Sequence, residues 1–519
     1  MDTFEWILVM LLVAAILAEI ARRISAPYPT LLALGGVGVA FLPGSPQWVL
    51  DPQLALALFV APVLLDSAYD TSLRDLRAYW RPIAGLVFAG VVTTVIGVAF
   101  VCRWLVPEMS WPVAIALGAI VAPPDAAAAT AIMRQVGLPH RLLSILEGES
   151  LLNDASALFI YRLAMMAVAT GTLGFQDYLP VFLLTVLGSV AAGIALAFLL
   201  GPIMRIPKHV PTSLILQFCS TFGIWILAER IGLSGILTIV AFAMTMARRG
   251  GPQMPPQMRV PILAVWEAVV FLLNALAFVL IGMQLKPIWT RLGSDPARLD
   301  AIVVAIVVVA VAIGTRFLWV MLYSAIEIRR VKGKGDAADN KGAWRAGIVV
   351  SWSGMRGIVT LAAAFSVPHV LSDGSEFPHR DLILLCAFSV VFGTLVLQGM
   401  TMRRVIRLMK LPEDNMVAKE VRAGRISIYQ SLIEAIGADN SLHGKLLRKQ
   451  YHAALEFNEE STSVNAMRFL PDSSLRRNGI AAAREKLISM REQGLIGDQA
   501  YRTLVQELDW AELSIGEAG

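Results

Sequence analysis

The run Glu149-Ser150-Leu151-Leu152-Asn153-Asp154 places two acids, an amide and a hydroxyl inside an apolar stretch. At helical spacing, residues four apart share a face, so two stripes result. Ser150 and Asp154 form an oxygen pair suited to a hard cation. Glu149 and Asn153 form a second stripe, suited to hydrogen-bonding a neighbouring helix. Two carboxylates in one turn at hydrocarbon depth do not both stay ionised without compensation. A fixed cation is therefore expected beside one, leaving the other to exchange protons.

Two further groups have the same character. Pro123 and Pro124 interrupt another apolar run, and Asp125 follows as the expected N-cap of a helix over Ala126–Met133. In Ser351-Trp352-Ser353-Gly354-Met355-Arg356-Gly357 the glycines loosen a helix around Arg356. That guanidinium cannot shed its charge and has to be answered by a carboxylate or by helix-end carbonyls. Arg316, near the middle of a third run, is the favoured counter-charge for Glu149, with Arg356 the alternative. Arg162, about 12 Å beyond Asp154 along its helix, and Glu267 with Asn274 are lesser candidates. Structural uses compete with the ion-site reading: a capped proline kink, an interhelical clamp, or arginines that snorkel to an interface.

The elements that must position these groups are membrane spans. The chain has 519 residues, 56% of them hydrophobic and 16% charged, and the charge is concentrated in loops and in the last hundred or so residues. Thirteen apolar runs occur at 4–24, 28–43, 52–70, 82–106, 112–134, 141–170, 178–203, 212–230, 233–248, 258–285, 299–328, 343–371 and 380–408. Each is near the ~20 residues that cross a bilayer. Basic residues gather after the odd-numbered runs, from Arg22 and Arg23 through Arg329, Arg330, Lys332 and Lys334 to Arg403, Arg404 and Arg407. By the positive-inside rule the N-terminus is outside and the tail cytoplasmic. The first run lacks a basic leader segment and reads as a span, not a cleavable signal. The expected organisation is a transmembrane domain over 1–410 and a helical cytoplasmic tail over 411–519, with helices at Asn415–Ile436, Ala481–Gln493 and Asp498–Leu513. Cys102, Cys219 and Cys386 all lie in apolar runs, without disulfide or metal-binding spacing. No nucleophile–base pair, phosphate loop or cofactor motif appears, so an enzyme is disfavoured. The basic balance reads as membrane topology, with no nucleic-acid partner.

The fifth and twelfth runs, seven apart, are both polar and interrupted. Broken helices in corresponding halves mark inverted-repeat transporters, whose ion sites lie at the breaks. The expected fold is thus an all-α polytopic membrane protein with two crossing broken helices.

These residues also carry a family likeness. Glu149 to Asp154 resembles the Asn-Asp signature of the sodium/proton exchangers, on the NhaP/NHE-like branch of the monovalent cation:proton antiporters. Ser353 to Gly357 is similar to that family's Gly-Gly-Leu-Arg-Gly element. Leu64 to Pro82 resembles its third span and following loop, and Trp266 to Leu285 its tenth. The resemblance covers nearly all of 1–410. It implies a thirteen-span homodimer in which Asp154 binds cation or proton, Ser150 contributes an oxygen, and Asp125 lies beside the ion. Asn153 and Glu149 support them, with Glu149 paired to Arg316 and Arg356 at the half-helix ends. Many members have Thr-Asp at the break; here Pro124 leaves a backbone carbonyl but no hydroxyl.

The implied activity is electroneutral exchange of Na+ or Li+ for H+ in a bacterial inner membrane, with no cofactor and a role in pH homeostasis. Potassium/proton exchange at the same residues is the alternative. A cation channel or a membrane signalling protein is a more distant one, since neither a carbonyl filter nor an effector domain is evident.

Overall fold

The computed structural model describes residues 2–24, 26–46, 51–125, 138–170, 175–250, 256–291, 295–331, 337–371, 375–411, 416–437 and 441–460, with short pieces at 480–485, 488–489, 493 and 510. Chain contacts divide it into two units, Met1–Pro412 and Glu413–Gly519. The first is built from α1 (Asp2–Arg23), α2 (Tyr28–Ala40), α3 (Pro52–Asp70), α4 (Trp80–Leu105), α5 (Trp111–Val121), α6 (His140–Thr170) and α7 (Phe175–Met204). It continues through α8 (Val210–Arg230), α9 (Gly235–Gly250), α10 (Pro256–Met283), α11 (Asp295–Val331), α12 (Ala337–Trp352), α13 (Ile358–Phe365) and α14 (Arg380–Met409). The second unit contains α15 (Met416–Ile436) and α16 (Leu442–Glu460). α16 is not among the helices expected from the sequence: Leu442, Leu446, Leu447, Tyr451 and Leu455 recur at helical spacing, but in a segment of low overall apolar content. The described pieces of the helix expected over Ala481–Gln493, 481–485 and 488–489, are helical. That over Asp498–Leu513 lies outside the described residues except at 510, and the one after Asp125 lies wholly outside them.

Among the described residues no strand forms; the only extended pairing is an isolated bridge between Val370 and Glu376. Among the described residues nine helices are long and apolar enough to cross a membrane, and shorter apolar helices include α2 and α5. Large apolar side chains such as Leu12, Leu184, Leu199, Ile306 and Leu318 project outward, as lipid-facing helices require. Prolines stand in the first turns of α2, α3, α5 and α8, where a missing N–H costs nothing.

Two apolar cores organise the membrane unit. The larger draws on α1, α2, the first turns of α3 (Ala55 and Phe59), α4, α5, α6, α10, α11, α12, α13 and α14. The smaller is formed by α3, α7, α8 and α9, and Leu151 of α6 packs into it. On α6, Leu146 and Ala157 belong to the larger core. The segment carrying Ser150 and Asp154 therefore runs along the seam between the two.

Candidate functional site

Helix α5 ends at Val121 because Pro123 and Pro124 follow, which lack amide donors and push their predecessors out of helical geometry. α12 ends at Trp352, and the chain runs unwound from Gly354 to Gly357 before α13 starts. The two breaks meet: the Asp125 amide donates to the Met355 carbonyl at 2.6 Å. A Cβ on Gly357 would overlap the Asp125 carboxylate, and one on Gly354 would overlap the Arg316 side chain. Only glycine permits both approaches.

Breaking helices leaves terminal carbonyls without partners, and two arginines answer them. Arg356, fully buried, donates from Nε to Val121 O at 3.1 Å, from Nη2 to Ala312 O at 3.1 Å, and from Nη1 to Gly354 O. Its amide donates to Thr394 Oγ1 at 3.1 Å. Its charge thus rests on carbonyls, including those at the negative ends of α5 and of the interrupted α12 segment. Arg316 of α11 forms a two-pronged pair with Glu149, at 2.5 Å from Nη1 to Oε1 and 2.9 Å from Nη2 to Oε2. It also donates to Val350 O of α12 at 3.1 Å. The structure pairs Glu149 with Arg316, not with Arg356.

On the other stripe of α6, Asn153 Nδ2 donates to Pro124 O at 2.8 Å, tying α6 to the first break. Asp154 is 8% exposed and has no hydrogen bond or ion pair among the described residues. It lines a cavity of about 80 Å³ together with Pro124, Asp125, Ser150, Asn274, Gly357 and Thr360. The start of α13, whose N-cap residue Gly357 has no side chain of its own to offer, forms one wall. Its positive dipole end faces the carboxylates.

The structure thus brings together Asp154, Asp125, Ser150 and Pro124 around one cavity, with Glu149, Asn153, Arg316 and Arg356 holding its walls. Asn274 joins them. Glu267 instead projects from the chain's outer surface, and Arg162 lines a separate cavity with Thr185 and Ser234. Sequence reasoning missed Ser67, Glu147 and Thr360. Ser67 and Thr360 are small polar residues of a kind common in spans. Glu147 lies two residues before the motif, and an acidic side chain so close to it was a readable signal.

The fold is that of a membrane transporter in which two broken helices meet beside a carboxylate-lined cavity. Residues 7–408 match the family model described as "Sodium/hydrogen exchanger, transmembrane", and the chain belongs to this family. It is 30% identical to the "Sodium, potassium, lithium and rubidium/H(+) antiporter" of Bacillus pumilus, over 99% of this chain and 78% of that protein. It is also 30% identical to the "Na(+)/H(+) antiporter ApNhaP" of Aphanothece halophytica, over 80% of this chain and 76% of that protein. Among solved structures, the sodium proton antiporter MjNhaP1 of Methanocaldococcus jannaschii shares the fold, with a TM-score of 0.57 and 16% identity over 79% of this chain and all of that one.

The Glu149–Arg316 pair yields a stability prediction. Glu149→Ala strands a buried guanidinium and is expected to cost about 3–5 kcal/mol, read as a lower melting temperature of the purified protein. The double variant Glu149→Leu, Arg316→Met is expected to recover much of that loss. A double variant as unstable as the sum of both single changes would contradict the pairing.

Proposed function

We propose that the protein exchanges Na+ or Li+ for H+, one for one, at a single site centred on Asp154. The observation carrying this reading is that Asp154 is buried without a hydrogen-bond or ion-pair partner among the described residues, while Glu149, Arg316 and Arg356 are all answered within the fold. A bare carboxylate there is unfavourable, so it holds either a proton or a dehydrated cation. Asp125 and Ser150 supply further oxygens. The Pro124 carbonyl, which uses one of its two lone pairs on Asn153, retains the other for an ion. Because proton and cation exclude one another, alternating exposure of the site to the two sides yields antiport. The seam between the two apolar cores is the natural place for that movement. With Glu149 neutralised by Arg316, Asn153 uncharged and Asp125 keeping one protonation state throughout, Asp154 is the group that exchanges, so each cycle moves no net charge.

Potassium is a second reading. Pro124 removes a side-chain oxygen that favours a small ion, and the Bacillus pumilus relative is named for potassium as well as sodium. In either case the expected setting is a thirteen-span homodimer in a bacterial plasma membrane. Its N-terminus lies outside, and its tail and the basic Arg329–Lys334 loop lie in the cytoplasm. Labelling that loop from the outside of intact cells would contradict this orientation.

The test uses proteoliposomes with an internal pH dye, adding Na+, Li+ or K+. Wild type is expected to move protons on addition of Na+ and Li+, and Asp154→Asn to move none. Coupling that survives Asp154→Asn would refute the assignment, and a response only to K+ would favour the second reading. An electrogenic cycle would respond to voltage by about 2.3 kcal/mol per net charge per 100 mV, whereas the proposed cycle is indifferent to it. Protons compete for the same oxygens, so the apparent KM for Na+ is expected to rise as pH falls.

A further inference from the structure

Thr360 stands in the first turn of α13, three residues after Gly357, and is 1% exposed. Its Oγ1 has no hydrogen-bond partner among the described residues. Threonines in helices usually place this hydroxyl on the carbonyl four residues back. Here Thr94 bonds Gly90 O, Thr238 bonds Ser234 O, Thr315 bonds Val311 O and Thr394 bonds Val390 O. For Thr360 the corresponding residue is Arg356, which belongs to the unwound break and not to a helix. The break thus deprives the hydroxyl of its ordinary partner. An orphaned buried hydroxyl costs about 1–3 kcal/mol. Thr360 lines the same cavity as Asp154, Asp125 and Ser150. It lies one turn beyond Gly357, the residue against which the Asp125 carboxylate packs.

We propose that the Thr360 hydroxyl is a ligand of the transported cation and sets its selectivity, supplying from the second break the side-chain oxygen that Pro124 cannot supply at the first. The inference rests on the exchange reading above. In the conformation described, the oxygen is shut off from water. It gains its partner when the cation enters and the first turn of α13 moves toward it. A hydroxyl presents a compact oxygen with little freedom on a β-branched side chain, which favours a smaller ion over a larger one.

The test compares wild type, Thr360→Val and Thr360→Ser. Proton-coupled uptake is measured in proteoliposomes against Na+, Li+ and K+, and thermal stability of the purified proteins is measured with and without Na+. Valine keeps the shape without the oxygen. Thr360→Val is expected to raise the apparent KM for Na+ about tenfold or more and to shift preference toward K+, with melting in cation-free buffer unchanged or higher. The stabilisation by Na+ seen in wild type is expected to shrink, and Thr360→Ser to recover most of the Na+ affinity lost in Thr360→Val.

A Thr360→Val protein with wild-type KM and selectivity overturns the proposal. So does one whose only change is lower stability without cation. Should Thr360→Val fail to fold, Thr360→Ala set against Thr360→Ser makes the same comparison. Absence of cation-coupled flux in wild type would instead overturn the exchange reading itself.

Discussion

Where a helix breaks away from water, its last carbonyls need donors from within the protein, and here the donors are guanidinium groups. Arg356 gathers Val121 O, Gly354 O and Ala312 O, and Arg316 takes Val350 O along with Glu149. An arginine suits this use because it offers five donors in a fixed plane and keeps its charge. The cost of burying that charge is offset by helix ends that carry partial negative charge. Without these two residues the unwound segments would leave orphaned backbone groups, and the cavity between them would not persist in an apolar surround.

The same arrangement treats two carboxylates of one helix differently. Glu149 and Asp154 sit five residues apart on one helix, yet one is clamped by a bidentate partner and the other faces a cavity. The glycines at 354 and 357 make this possible by letting Arg316 and the Asp125 carboxylate approach the second break closely. α6 lies along the seam between two apolar cores, so its polar stripe is held on one side and open on the other.

Much of this was legible in the sequence because ionisable residues inside apolar runs have no bland place to go. Asp154, Asp125, Glu149, Arg316 and Arg356 stood out for that reason, and helical spacing alone put Ser150 with Asp154. Pairing was harder. Glu149 and Arg316 are 167 positions apart, so no periodicity links them, and both arginines offered the same charge. Whether Arg356 met a carboxylate or carbonyls depended on where the two breaks crossed. Thr360 was invisible because a threonine in an apolar helix ordinarily satisfies itself. It becomes unusual only once Arg356 is known to lie outside a helix. The helix α16 was missed although Leu442, Leu446, Leu447, Tyr451 and Leu455 stand at helical spacing, because the charged residues between them lower its apolar content.

The central claim is that one buried carboxylate, Asp154, holds either a proton or the cation. It is tested most directly by counting protons released when Na+ binds to purified protein in weakly buffered solution, at a pH where transport is limited by proton competition. The account predicts close to one proton per bound Na+ in wild type and none in Asp154→Asn. Sodium binding with no proton release in wild type, or equal release from Asp154→Asn, would contradict it.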